Sequence, residues 1–194
     1  MAVELHSQIE SLYLIGTKPY IESYDSIQYL DQDSFPGRWK ILNFYENDFN
    51  RRTETEFYEW HSLTEHFDDA DAVVLWISND SIECKLGWKE NNVQLKEFSQ
   101  WLCADPGIDT EPPMAHQLGA FNFSKGKNHR ATFIVDPDNI IQHISISSSE
   151  TNRSPHEALR IIESLQAGGS NEGEMPDGTP LTAFDADDAI ADMT

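Results

Sequence analysis

Apolar residues recur along this chain with two different spacings, and the spacing decides what each segment becomes. The run Ala72-Val73-Val74-Leu75-Trp76-Ile77-Ser78 is apolar almost without interruption, which fits a strand buried on both faces at the centre of a parallel sheet. Trp39-Lys40-Ile41-Leu42-Asn43-Phe44-Tyr45 reads as a second strand. Between them Phe57, Trp60 and Leu63 recur at helical spacing and predict a helix over residues 54–67 with one apolar face. Thr53 with Glu56 three positions later has the form of a capping box, in which each side chain satisfies a free backbone amide at the helix start. These pieces make one β-α-β unit.

A short helix over 81–89 follows, then a weaker strand over 98–102, a proline-rich loop over 105–113 and a helical segment over 114–118. Residues 131–135 and 140–146 are strands flanking Asp136-Pro137-Asp138-Asn139, whose proline and asparagine suit a tight reversal, so they predict a β-hairpin. Ser154-Pro155-His156-Glu157 sets an N-cap serine, a first-turn proline and a capping glutamate in order. That helix has Ala158, Ile161, Ile162 and Leu165 on its apolar face and ends at Gly168-Gly169. Within residues 1–37, Tyr13, Ile15, Tyr20, Ile21, Tyr24 and Tyr29 can supply a strand or two, with no fixed place. From Gly168 onward there are seven acidic residues and no basic one, yet Leu181, Phe184, Ile190 and Met193 are enough apolar side chains to dock on a surface. The expected division is an N-terminal extension over 1–37, an α/β domain over 38–167 and an acidic arm over 168–194.

Charge narrows the partners. With 13 basic and 34 acidic residues, the formal charge is -21 and the pI is near 4.4. Nucleic acid is excluded as an expected partner, because binding phosphates needs clustered Lys and Arg to displace counterions. No apolar run approaches the roughly 18 residues of a membrane helix, and Met1-Ala2-Val3-Glu4-Leu5-His6 lacks the pattern of a signal peptide, so a cytoplasmic address and no membrane association are expected.

The chain has two cysteines, Cys84 and Cys103, without Cys-x-x-Cys spacing. Cys103 lies in the apolar context Trp101-Leu102-Cys103-Ala104 and is expected in the core. Cys84 stands beside Lys85, a cation that favours thiolate, which makes it the better thiol for chemistry. His61, His66, His116, His129, His143 and His156 show no ligand spacing, so neither a metal nor a cofactor is expected.

Several short segments, in order, carry a family resemblance: Asn43-Phe44-Tyr45 with Asp48-Phe49, Asn79-Asp80-Ser81 with Leu86-Gly87-Trp88, Ala104-Asp105-Pro106, and Arg130-Ala131-Thr132-Phe133-Ile134-Val135-Asp136-Pro137. Arg153 before the last helix and Gly173-Glu174 before Pro176 extend it. From about residue 38 onward the chain resembles the peroxiredoxins, and among them the bacterial alkyl hydroperoxide reductase C component. The resemblance implies a thioredoxin-like α/β fold, a central mixed sheet flanked by helices with a C-terminal arm. It also implies thiol peroxidase chemistry, which needs a thiolate at a helix N-terminus and an arginine to lower its pKa.

Position by position, that machinery is missing here. The family's proline falls at Glu46, its hydroxyl residue at Asn50 and its reactive cysteine at Thr53, while its arginine is retained as Arg153. The resolving cysteine of the two-cysteine members falls in Gly173-Glu174-Met175-Pro176, where Met175 stands instead. A threonine hydroxyl is not ionised near neutral pH and has no passage to a sulfenic acid. At residue 53 the expected role is therefore a helix cap. Arg51, Arg52 and Arg153 are expected near that helix start, where a small-anion pocket competes with simple ion pairing to Glu46, Glu54 and Glu56, and pairing is the favoured expectation.

Three functional expectations follow. The first is a family member without peroxidase activity that serves as an oligomeric scaffold, binding or regulatory protein, in a homodimer or ring of dimers. The second is a working peroxidase that uses Cys84. The third is a regulatory subunit of an active peroxiredoxin.

Overall fold

The computed structural model describes residues 4–9, 11–17, 26–108, 111–148 and 151–168. Strands β1 (Tyr13–Thr17) and β2 (Ile27–Asp31) pair antiparallel, which gives the N-terminal apolar residues the place that periodicity alone leaves open. Tyr20, Ile21 and Tyr24 lie outside the described residues. β3 (Trp39–Phe44) runs parallel to β4 (Ala72–Ser78), and helices α1 (Arg51–His61) and α2 (Thr64–Asp69) join them. Helices α3 (Ile82–Asn91) and α4 (Val93–Lys96) lead to β5 (Trp101–Ala104), parallel to β4. After α5 (Met114–Gln117), the small pair β6 (Phe121–Asn122) and β7 (Lys127–Asn128) precedes the antiparallel β8 (Arg130–Val135) and β9 (Ile141–Ser147), and α6 (Pro155–Gln166) follows. Among the described residues the main sheet has seven strands, in the order β2-β1-β5-β4-β3-β8-β9. It is mixed and carries helices, as the resemblance implies.

Successive side chains of a strand point to opposite faces, so the unbroken apolar run of β4 feeds two cores. Val73, Leu75 and Ile77 join Leu42, Phe44 and Phe133 on one face. Ala72, Val74 and Trp76 join Ile41, Phe57, Trp60, Trp88 and Ile162 on the other, beneath α1, α3 and α6. Trp76 anchors the second core, with ring centroids 4.6 Å from Phe57 and 5.5 Å from Trp60.

Two boundaries differ from the expectation. The helix expected over 54–67 is two helices, α1 and α2. Ser62 donates its hydroxyl to the Glu59 carbonyl at 2.7 Å and Thr64 donates to the His61 carbonyl at 2.9 Å, so local side chains satisfy the last carbonyls of α1 and end it. The strand expected over 98–102 is shifted to β5, because pairing of Leu75 with Trp101 and of Gly16 with Cys103 sets its register. Phe98, freed from the strand, stacks on Phe57 at 4.9 Å. Two compact units divide the chain, residues 1–162 and 163–194; residues 163–168, which close α6, are the described part of the second.

Candidate functional site around the first turn of α1

The loop from β3 to α1 is held by a buried polar cluster. Asp48, 4% exposed, accepts hydrogen bonds from the Tyr45 hydroxyl at 2.6 Å, the Ser78 hydroxyl at 3.0 Å and the Lys85 ammonium at 3.2 Å. Lys85 is fully enclosed and also donates to Ser78 at 2.6 Å and to the Asp80 carbonyl at 3.3 Å, so its charge is paired and its protons are used. Asp80 in turn accepts the Asp48 amide at 2.6 Å. These bonds fix the bend at Phe49, whose φ of 54° is left-handed and costly for a residue with a Cβ. Phe49 spreads its ring over Trp88, with centroids 5.6 Å apart.

Beyond the bend the cap is Asn50. Its side-chain oxygen accepts the Arg52 amide at 3.0 Å, and its carbonyl accepts the Glu54 amide at 3.0 Å. The capping box expected at Thr53 and Glu56 is not formed. Thr53 is inside the first turn and wholly buried, and its Oγ1 has no hydrogen-bond partner. Glu56 spends its carboxylate on two arginines instead of on an amide of the helix start.

That cluster is the strongest electrostatic feature of the site. Glu56 Oε2 accepts Arg153 Nη2 at 2.9 Å, and Oε1 accepts the Arg153 amide at 2.8 Å. Arg153 Nη1 donates to the carbonyls of Phe44 at 2.9 Å and Ala131 at 3.2 Å, and the guanidinium lies 5.1 Å from the Trp76 ring centroid. Trp60 Nε1 donates to the Arg153 carbonyl at 3.2 Å. Arg130 Nη2 pairs with Glu56 Oε1, whereas its Nε has no partner. Burial lowers the Arg130 pKa from its ordinary value; Glu56 pulls it back up and Arg153 pushes it further down.

The residues singled out from sequence therefore separate. Arg153 lies at the site, packed and fully bonded. Asn50 is the cap. Glu46 does not neutralise the expected arginines; it accepts Lys127 at 3.2 Å, on the small β6–β7 hairpin. Glu54 accepts Trp88 Nε1 and Asn92 Nδ2, both at 2.9 Å, and so ties α1 to α3 and α4. Arg51 and Arg52 are exposed. Met175 lies outside the described residues. Arg130, which sequence reasoning overlooked as a site residue, takes the place expected of Arg51 and Arg52. One signal was available: Glu56 is four positions before Trp60, on the apolar face of α1, where an acid must find buried cations.

The thiols also depart from expectation. Lys85 favours a Cys84 thiolate, as expected, but it is overruled. Partial burial and the carboxylates of Asp48 and Asp80 outweigh it and push the thiol pKa up to about 11. Cys103 is in the core as expected, and burial pushes its pKa up as well. Among the described residues no group of three or more His, Cys, Asp or Glu side chains is placed to hold a metal, and no helix is long and apolar enough to cross a membrane.

Comparison with known proteins bears on this geometry. The model of the AhpC/TSA family matches residues 23–144. Alkyl hydroperoxide reductase C of Mycobacterium tuberculosis is 32% identical over 138 residues, covering 71% of this chain and 68% of that protein. The putative peroxiredoxin YkuU of Bacillus subtilis is 29% identical, covering 72% of this chain and 77% of its own length. A solved structure of Mycobacterium tuberculosis AhpC superposes with a TM-score of 0.77 at 26% identity, covering 89% of this chain and 98% of that one.

Proposed function

Because the chain belongs to the AhpC/TSA family and has the peroxiredoxin fold, we propose that it is a member that has lost thiol peroxidase activity and acts as a non-catalytic binding or regulatory protein in an oligomer. One observation carries the reading: the chain has two cysteines, neither stands at the first turn of α1, and burial pushes both thiols above the ordinary range. A thiol of pKa about 11 is ionised in roughly one molecule in ten thousand at pH 7. Cys103 is fully buried besides. At the first turn of α1, where the resemblance puts the reactive sulfur, Thr53 offers a hydroxyl with no base bonded to it.

The test is peroxide consumption by the purified chain, with and without a dithiol reductant. No turnover above background is expected. Turnover that disappears in Cys84→Ser would overturn the reading in favour of a peroxidase built on Cys84. Mass by light scattering tests the oligomeric part: a dimer or larger ring is expected, and a monomer removes the scaffold role. Co-purification of a cysteine-bearing peroxiredoxin would instead favour the regulatory-subunit form.

A further inference from the structure

Strand β2 stands at one end of the main sheet among the described residues, with β1 on one side of it and no strand on the other. Hydrogen-bonding direction alternates along an antiparallel strand, so one residue fixes it for those two positions away. Asp31 fixes it here. Its amide donates to the Ser34 hydroxyl at 2.8 Å and its carbonyl accepts the Ser34 amide at 3.2 Å, although Asp31 stands opposite Tyr13 of β1. The amide and carbonyl of Tyr29 therefore face outward as well, and those of Gln28 and Leu30 face β1. An outward row of this kind is what an added strand bonds. The two faces beside it differ. On the face of Leu30, the missing side chain of Gly16 lets Leu30 and Trp101 close over the backbone, where a Cβ would meet each at 2.9 Å. Phe35 sets its ring edge-on to Trp101, with centroids 5.6 Å apart. With Gln28 and Ser34 these residues line an open cleft of about 470 Å³. On the other face Tyr29, 70% exposed, stacks on Tyr13 at 6.1 Å. Asp31 shares that face by alternation and is exposed, as is Asp33 in the turn beyond it. Residues 26–37 carry these two acids and no base.

We propose that β2 takes up an extended segment of a basic protein partner as an added strand, in which apolar and basic side chains alternate. The backbone of that segment bonds the outward amide and carbonyl of Tyr29, which supplies affinity without regard to sequence. Every second side chain is apolar and turns toward the cleft of Leu30, Phe35 and Trp101. The side chains between them are Lys or Arg, set over the Tyr29 ring and beside Asp31. A second copy of this chain is the poorer occupant, because two chains of charge -21 would bring their acids at this edge together. The proposal names a partner for the non-catalytic binding role given above and rests on that role.

The probe is a capped Lys-Val-Lys-Phe-Lys-Val-Lys peptide titrated into the full chain, with calorimetry for affinity and amide hydrogen exchange by NMR for place. Saturable binding that weakens with salt is expected, together with slowed exchange at the Tyr29 amide. The amides of Gln28 and Leu30, already turned to β1, should change little. The same peptide with Glu in place of Lys, or N-methylated throughout, should bind at least about tenfold more weakly. Tyr29→Pro removes the outward amide while sparing the bonds to β1, so the chain should fold and its affinity should fall about tenfold or more. Tyr29→Thr keeps the amide and loses the ring, and should cost only about threefold. The N-methylated peptide on the wild-type chain carries the same test if Tyr29→Pro does not fold. No binding, equal binding of the Lys and Glu peptides, indifference to N-methylation, or protection confined to residues away from β2 would overturn the proposal. So would an oligomer that comes apart in Tyr29→Pro, since a second copy would then be the occupant. Peroxide turnover would overturn the non-catalytic reading and leave peptide binding as it is, so the two failures are distinguishable.

Discussion

Glu56 grips Arg153 across 97 positions of sequence, one carboxylate oxygen on its backbone amide at 2.8 Å and the other on its guanidinium at 2.9 Å. The same carboxylate is the counter-charge for Arg130. Glu56→Gln should therefore destabilise the fold by about 3–5 kcal/mol, because two buried cations lose their shared anion. Urea denaturation at neutral pH measures it, and a loss under about 1 kcal/mol would show that the cluster is not the anchor described.

Asn50 and Thr53 divide the roles that the capping-box pattern assigns to Thr53. Asn50→Ala should cost about 1 kcal/mol, the usual worth of a cap. Thr53→Val should change stability by less than about 0.5 kcal/mol, since a hydroxyl without a partner is removed and the shape is kept. The opposite ranking would restore the capping box.

Lys85 and Asp48 should be strongly coupled. Lys85→Met and Asp48→Asn each leave a buried charge alone and should cost about 3–5 kcal/mol. The double variant should cost at least about 1 kcal/mol less than the sum, a coupling read from a double-mutant cycle of thermal or denaturant unfolding.

Cys84 gives the pH prediction. Its folded-state pKa lies above the ordinary thiol value, so thiolate appears only in alkali. Alkylation of Cys84 by iodoacetamide should accelerate close to tenfold per pH unit from neutrality and level off only near pH 11. By the same sign, the stability the protonated thiol contributes is full below the unfolded pKa and is lost as pH rises toward 11. A plateau near pH 8 would mean that the carboxylates of Asp48 and Asp80 do not act on the sulfur.

Thr53→Cys should place a thiol beside Arg130 and the first turn of α1, with its pKa below that of Cys84. The thiolate's ultraviolet absorbance, followed against pH in a Cys84→Ser background, measures it. Peroxide should then oxidise the new thiol faster than it oxidises Cys84 in the wild type. A pKa at or above about 11 would show that the cluster no longer provides a positive field at position 53.

Much of the framework was legible because it is local. The apolar run of β4, the Asp136–Asn139 reversal and the Ser154 cap each carry their signal within a few residues. What sequence did not show is long-range. Glu56 satisfies the capping-box spacing perfectly well, yet buried arginines at positions 130 and 153 outbid a surface amide for its carboxylate. Lys85 looks like an activating neighbour of Cys84 because it is adjacent in sequence, but Asp48, 37 positions away, takes its charge. The α1–α2 break rests on two hydroxyls whose alternative, a continuous helix, has the same apolar pattern.

The hold on Arg153 has a consequence for the start of α1. Glu56 and Trp60 both bond its backbone, so the middle of α1 is tied to the chain just before α6, while Arg153 itself reaches the ends of β3 and β8. Fraying of α1 from its second turn onward would break the Glu56 and Trp60 bonds to Arg153 together, while the bonds from Arg153 to β3 and β8 would remain. Position 53 lies one turn before that tie, so the start of α1 is anchored from its second turn onward even where Arg51 and Arg52 face solvent.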